Sequence, residues 1–135
     1  MHSKEQLSLV HSASIRPEDF LRFVEIPPFP RLWANLKLED RDLQALQIGI
    51  MAAPSLHPVI PGTNGLRKLR FSKPGSGTGR RGSFRVLYTY YSDYGIVLLM
   101  AIIAKNDQDL TKADLNALSS VIARSKILLD KGIIR

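Results

Sequence analysis

The chain has 135 residues, 44% apolar and 23% charged, the proportions of an ordinary globular domain with one core. It contains no cysteine, which excludes disulfide frameworks, thiolate nucleophiles and thiolate metal sites. Its three histidines, His2, His11 and His57, stand at no ligand spacing, so no metal or other cofactor is expected. Nineteen Lys and Arg against twelve Asp and Glu give a net charge of +7, and the excess is local. No acid occurs between Asp42 and Asp93, while Arg67, Lys68, Arg70, Lys73, Arg80, Arg81 and Arg85 all fall there. Such a block suits a polyanion, because cations that displace condensed counterions bind without reading bases. With no apolar run of membrane-spanning length and no secretory pattern among the first thirty residues, a cytoplasmic protein without membrane contact is expected.

Residues 1–19 show no sustained periodicity and are expected to form a flexible extension preceding a domain of residues 20–135. Phe20 to Ile26 is aromatic and β-branched and is stopped by Pro27-Pro28, which predicts a first strand. Pro30 to Leu36 predicts a short helix opened by proline. Glu39, Asp40 and Asp42 place negative charge at the start of a second helix, whose stripe is Leu43, Leu46, Ile50 and Ala53, with Pro54 ending it. Ser55 to Gly65 is loop, closed by the Asn64-Gly65 turn signal. Leu66 to Phe71 predicts a strand, Ser72 to Ser83 a glycine-rich loop, and Phe84 to Tyr91 a long strand. After the Ser92 to Gly95 turn, Ile96 to Ala104 is apolar on both faces and so a central strand. A last helix starts at a Thr111/Asp114 capping box, buries Leu115, Leu118, Val121, Ile122, Leu128 and Leu129, and closes at Gly132. The sum is a compact α+β domain: an antiparallel-rich four-stranded sheet, two N-terminal helices and a C-terminal helix.

A period of two divides the basic strands. Leu69 and Phe71 face the core and take Arg67 with them near the rim, leaving Lys68 and Arg70 on the other face, about 7 Å apart. On the next strand Phe84, Val86, Tyr88 and Tyr90 are the core series, so Arg85, Leu87, Thr89 and Tyr91 share the face of Lys68 and Arg70. Like charges brought together across a sheet are destabilising, and a fold keeps them for an anion. Lys105, where the apolar run ends, projects at the same edge, and Tyr91 is a candidate for stacking on a base. Gly77 to Gly82 matches G-x-G-x-x-G, but a strand rather than a helix follows it, so the dinucleotide reading fails. The loop instead lets Arg80 and Arg81 approach phosphates.

Without an acid in the basic window, phosphate chemistry run by cations remains. In RNA the 2′-hydroxyl attacks its own phosphodiester, which requires a base, charge stabilisation of the phosphorane and a proton for the leaving 5′-oxygen. Lys68 is the candidate base. Arg70 and Arg85 place two further cations beside it.

Gly62 to Phe71, Gly79-Arg80-Arg81-Gly82, Phe84 to Tyr90, and Ala104-Lys105-Asn106 with Asp109-Leu110-Thr111 together resemble the RelE/HigB toxins of type II toxin-antitoxin modules. The similarity runs over roughly residues 20 to 130. It implies a RelE-like fold and an mRNA endonuclease that enters the ribosomal A site, inhibits translation, and is held inactive by a cognate antitoxin, often a helix-turn-helix DNA-binding protein. Carried over by position, Lys68 and Arg70 match the paired basic residues of the active strand and Arg85 the phosphate-binding arginine. Lys105 or Asn106 occupies the place of the general-acid arginine of some members. The C-terminal stacking tyrosine has no counterpart, and Arg81 or Tyr91 is left for the unfilled roles. Catalysis is thus assigned to Lys68, Arg70, Arg85 and Lys105, and substrate binding to Arg67, Lys73, Arg80, Arg81 and Tyr91. The alternative is a catalytically weak or inactive protein of this fold that binds RNA, ribosome or antitoxin.

Overall fold

The computed structural model describes residues 20–74 and 83–134. The elements follow in the order β1 (Arg22–Glu25), α1 (Phe29–Asn35), α2 (Asp40–Ala52), β2 (Arg67–Ser72), β3 (Ser83–Tyr91), β4 (Ile96–Ala104) and α3 (Lys112–Asp130). Four strands form one sheet in the order β1-β4-β3-β2. The β2–β3 and β3–β4 pairs are antiparallel, as a meander requires. β1 instead returns to the far edge and runs parallel to β4, from Arg22 opposite Ile96 to Glu25 opposite Leu99, so the sheet is mixed. Between these two parallel strands the chain passes through α1, α2, β2 and β3, far more than the roughly a dozen residues that a parallel connection needs.

Alternation along the strands sorts the core into two layers. On one face Phe71, Val86, Tyr88, Val97, Leu99 and Ile102 pack against Phe29, Trp33, Leu46 and Ile50 of α1 and α2. On the other, Leu87, Tyr91, Ile96, Leu98, Met100 and Ile103 pack against Ile122 and Leu129 of α3. β4 is covered on both sides and buried from Ile96 to Ile103, which is why it reads as an unbroken apolar run. Between Leu87 and Tyr88 the pairing skips a residue, since Leu87 faces Ala101 and Tyr88 faces Leu99. Met100 is the extra residue of a bulge, and it joins Ala101 in the layer under α3.

Local chemistry sets the ends of the helices. The Glu39 N–H donates to the Asp42 carboxylate at 2.8 Å, so one of the acids expected to serve the helix dipole is a buried capping group. At α3 the Thr111 hydroxyl accepts from the Asp114 N–H at 3.1 Å and the Asp114 carboxylate accepts from the Thr111 N–H at 3.0 Å. The short Asp side chain therefore completes both bonds of the box. Gly132 follows with φ of 70°, the left-handed conformation that glycine adopts most easily.

The loop after α2 is fastened to the sheet. Tyr88 donates its hydroxyl to the Pro54 carbonyl at 2.8 Å, and the His57 ring stands edge-on to Tyr88 at 6.2 Å. Pro58 to Ile60 then run along the outer edge of β2: the Ile60 N–H donates to Leu66 at 2.8 Å and the Lys68 N–H to Pro58 at 3.0 Å. Burial pushes the Tyr88 phenol up to about 12. Burial first, and the Arg67 charge second, hold the His57 imidazole below its ordinary value. As pH falls through about 6.5 the unfolded chain therefore takes up the His57 proton before the folded one, and stability is lost. Urea midpoints measured from neutral pH to about pH 5 are expected to fall more steeply for the wild type than for His57→Gln. Parallel profiles for the two proteins refute this.

Candidate functional site

β2 and β3 pair so that Arg70 lies directly opposite Arg85 and Lys68 opposite Leu87. All four side chains point to the α3 side of the sheet, and Lys68 and Arg85 are diagonal neighbours across the ladder, a separation that long side chains can bridge. Where the N-terminal end of α3 leaves this face open, Lys68 and Arg85 line a cavity of about 150 Å³. Leu87 and Ile103 contribute from the strands, Ile60 from the fastened loop, Leu110 from the segment before α3 and Leu115 from its first turn. The result is an apolar recess with cations at its edge. Lys68 and Arg70 are exposed, and among the described residues neither has an ion-pair partner.

The cations are not, however, without an acid. Asp109, from the segment joining β4 to α3, lines the same cavity, and its carboxylate lies 2.8 Å from the Arg85 guanidinium. The Arg85 hydrogen bond, then the Leu110 N–H at 2.9 Å, hold the Asp109 carboxyl below the usual carboxylate range, with a smaller effect from Lys68. The stretch free of acids in the sequence is thus not free of acids in space. Asp109 stands 24 positions beyond Arg85, outside the basic window. Its only signal in the sequence is its place in the Asp109-Leu110-Thr111 run ahead of the helix cap.

Several expected site residues lie elsewhere. Arg67 is on the core face of β2, and its guanidinium donates to the carbonyls of Ser55 at 3.0 Å and His57 at 2.7 Å. It anchors the loop rather than joining the substrate cations. Tyr91 is only 7% exposed, under α3, and its hydroxyl donates to the Ile122 carbonyl at 2.7 Å. The expectation of an exposed tyrosine free to stack on a base is therefore corrected, because the face it shares with Arg85 is covered by α3 at that end. Burial pushes the Tyr91 phenol up. Lys105 is exposed just past β4, its N–H donating to Ser83 at 3.3 Å, and it does not line the cavity. Lys73 is half-buried just past β2. Arg80 and Arg81 lie outside the described residues.

A larger groove of about 480 Å³ runs between the β3–β4 turn and α3, lined by Tyr94, Ile122, Lys126 and Ile127 among others. Lys126 there is paired with Asp130 at 2.9 Å, and Tyr94 also donates to that carboxylate. The smaller cavity is the candidate site because the basic strands converge on it. Among the described residues no group of three His, Asp or Glu side chains is arranged to hold a metal ion, and no helix is long and apolar enough to cross a membrane.

No protein-family model matches the chain. Among solved structures the chain is similar to a doubly substituted mutant of the E. coli toxin RelE in the free state. The identity is 15%, the alignment covers 78% of this chain and 95% of that one, and the TM-score is 0.42.

Tyr91→Phe removes a buried donor and leaves the sheet surface near Arg85 untouched. It is expected to lower stability by about 1 kcal/mol in urea titrations. A urea midpoint equal to that of the wild type would refute the buried hydrogen bond.

Proposed function

We propose that this chain is the toxin of a type II toxin-antitoxin module, a ribosome-associated endoribonuclease that cleaves mRNA and so inhibits translation in the cytoplasm. Residues 20–135 form the toxin domain in this reading, and a cognate antitoxin, a helix-turn-helix DNA-binding protein, restrains it. The motif resemblance described above supports the family. The observation that carries the reading is the convergence of Lys68 and Arg85 on one recess, with Arg70 opposite Arg85. Three cations on one open sheet end match the charge that accumulates on a phosphorane.

The chemistry is metal-independent. Lys68 takes the proton of the 2′-hydroxyl as its oxygen attacks the adjacent phosphorus. Arg85 and Arg70 neutralise the equatorial oxygens of the phosphorane, as guanidinium groups suit paired phosphate oxygens. The bond to the 5′-oxygen then breaks, leaving a 2′,3′-cyclic phosphate on one product and a 5′-hydroxyl on the other. Lys105, exposed just past β4 and outside the lining of the recess, gives the leaving oxygen its proton from the solvent side in this reading. Lys73, Arg80 and Arg81 extend the contact to flanking phosphates.

The second reading, a catalytically weak or inactive protein of the same fold that binds RNA, ribosome or antitoxin, draws on two observations. Arg85 is engaged by Asp109, and Tyr91 is withdrawn under α3. One experiment separates the readings. Expression without the antitoxin is expected to arrest growth and to produce new message ends in primer extension, and Lys68→Ala or Arg85→Ala to lower cleavage by about 100-fold or more, the scale of a lost acid-base or electrostatic group. Growth arrest with intact messages favours the binding protein, and toxicity undiminished in both variants refutes the site.

A further inference from the structure

We infer that Asp109 is the built-in counter-anion of Arg85, a carboxylate that an incoming phosphodiester must displace, and that it thereby sets the affinity of the site for RNA. This rests on the reading of the recess as a phosphodiester site. A carboxylate and a phosphodiester present the same chemistry to a guanidinium, paired anionic oxygens accepting N–H bonds. The Arg85 Nη1 that a phosphate would use is held by Asp109 at 2.8 Å.

The pair is built for exchange rather than for permanence. The Asp109 side chain is 68% exposed and that of Arg85 31%, and ion pairs this open to water contribute little to stability. Asp109 sits on a non-helical, non-strand segment, held otherwise by the N–H of its own neighbour Leu110 at 2.9 Å. That bond steadies the carboxylate near Arg85 without tying it to the sheet. In the free protein the carboxylate offsets the opposition of Arg70 and Arg85 across the ladder. When RNA arrives its phosphate takes over that task, and Asp109 is released to water.

The displaced carboxylate leaves a signature in salt dependence. Each phosphate neutralised by a protein cation releases counterion, but a carboxylate freed in the same step gathers some back. Binding is measured by fluorescence anisotropy with a labelled 2′-O-methyl RNA oligonucleotide, which the proposed reaction cannot cleave, over a range of NaCl concentrations. Asp109→Asn is expected to bind about three- to tenfold more tightly at low salt, with a logarithmic salt slope steeper by up to about 0.7. In an Arg85→Gln background the same substitution is expected to change neither quantity. Unchanged or weaker binding by Asp109→Asn overturns the inference. So does an equal gain with and without Arg85, because the carboxylate then acts through the general field alone. If Arg85→Gln binds as tightly as the wild type, the phosphate site itself is misplaced. If Arg85→Gln weakens binding while Asp109→Asn is silent, only the counter-anion role falls.

Discussion

Two arginines face one another across the β2–β3 ladder, and the rest of the site follows from what forces them there. Directly opposed like charges in a sheet cost up to about 1 kcal/mol. On the reverse side of the same strands, however, Leu69 pairs with Val86 and Phe71 with Phe84, and Phe71 and Val86 belong to the core beneath α1 and α2. Burying one such side chain contributes about 1.5–3 kcal/mol, and a slip of one residue would turn the whole row outward. The apolar face decides the register, and the cations are carried into opposition by it.

The position of α3 then decides how much of that basic face stays open. Its start is fixed by the reciprocal Thr111 and Asp114 bonds, and its body covers Tyr91 and the turn end of β3. The end of the face bearing Lys68 and Arg85 is left as a recess beyond the start of the helix. The same cap fixes where the preceding segment ends, and so brings Asp109 to the cavity mouth. Helix capping, a local matter of two side chains, thus determines both the aperture of the site and the identity of its resident anion. The fastened loop acts from the other side, since Pro58 accepts the Lys68 N–H and Ile60 forms a wall.

What was legible in the sequence was whatever depends on neighbours along the chain. Ile96 to Ala104 carries its own two-sided burial as an unbroken apolar run, and its bounds coincide with β4. The Thr111 box and Gly132 marked the ends of α3 because capping and a left-handed residue are local requirements. Alternation sent Lys68, Arg70 and Arg85 to one face, as the register has them. It could not say what else would lie on that face, and so Tyr91, on the correct side, was expected in solvent and lies under a helix. Nor does β1, four residues long, announce its partner: nothing in Arg22 to Glu25 distinguishes a parallel edge on β4 from a place in the meander. Arg67 and Asp109 share one cause. Each bonds to groups 10 or more positions away, and a charge read by its neighbours in sequence gives no sign of such partners.

The loop from Pro54 to Ile60 has a bearing on how copies of the molecule meet. Lying along β2 as far as Lys68, it occupies backbone groups that would otherwise template a further strand, and Pro58 brings no donor of its own. At the opposite margin β1 offers a short stretch of only four residues. The start of one border of the sheet is thus occupied and the other border is short, which reduces the length of free edge on which copies could pair.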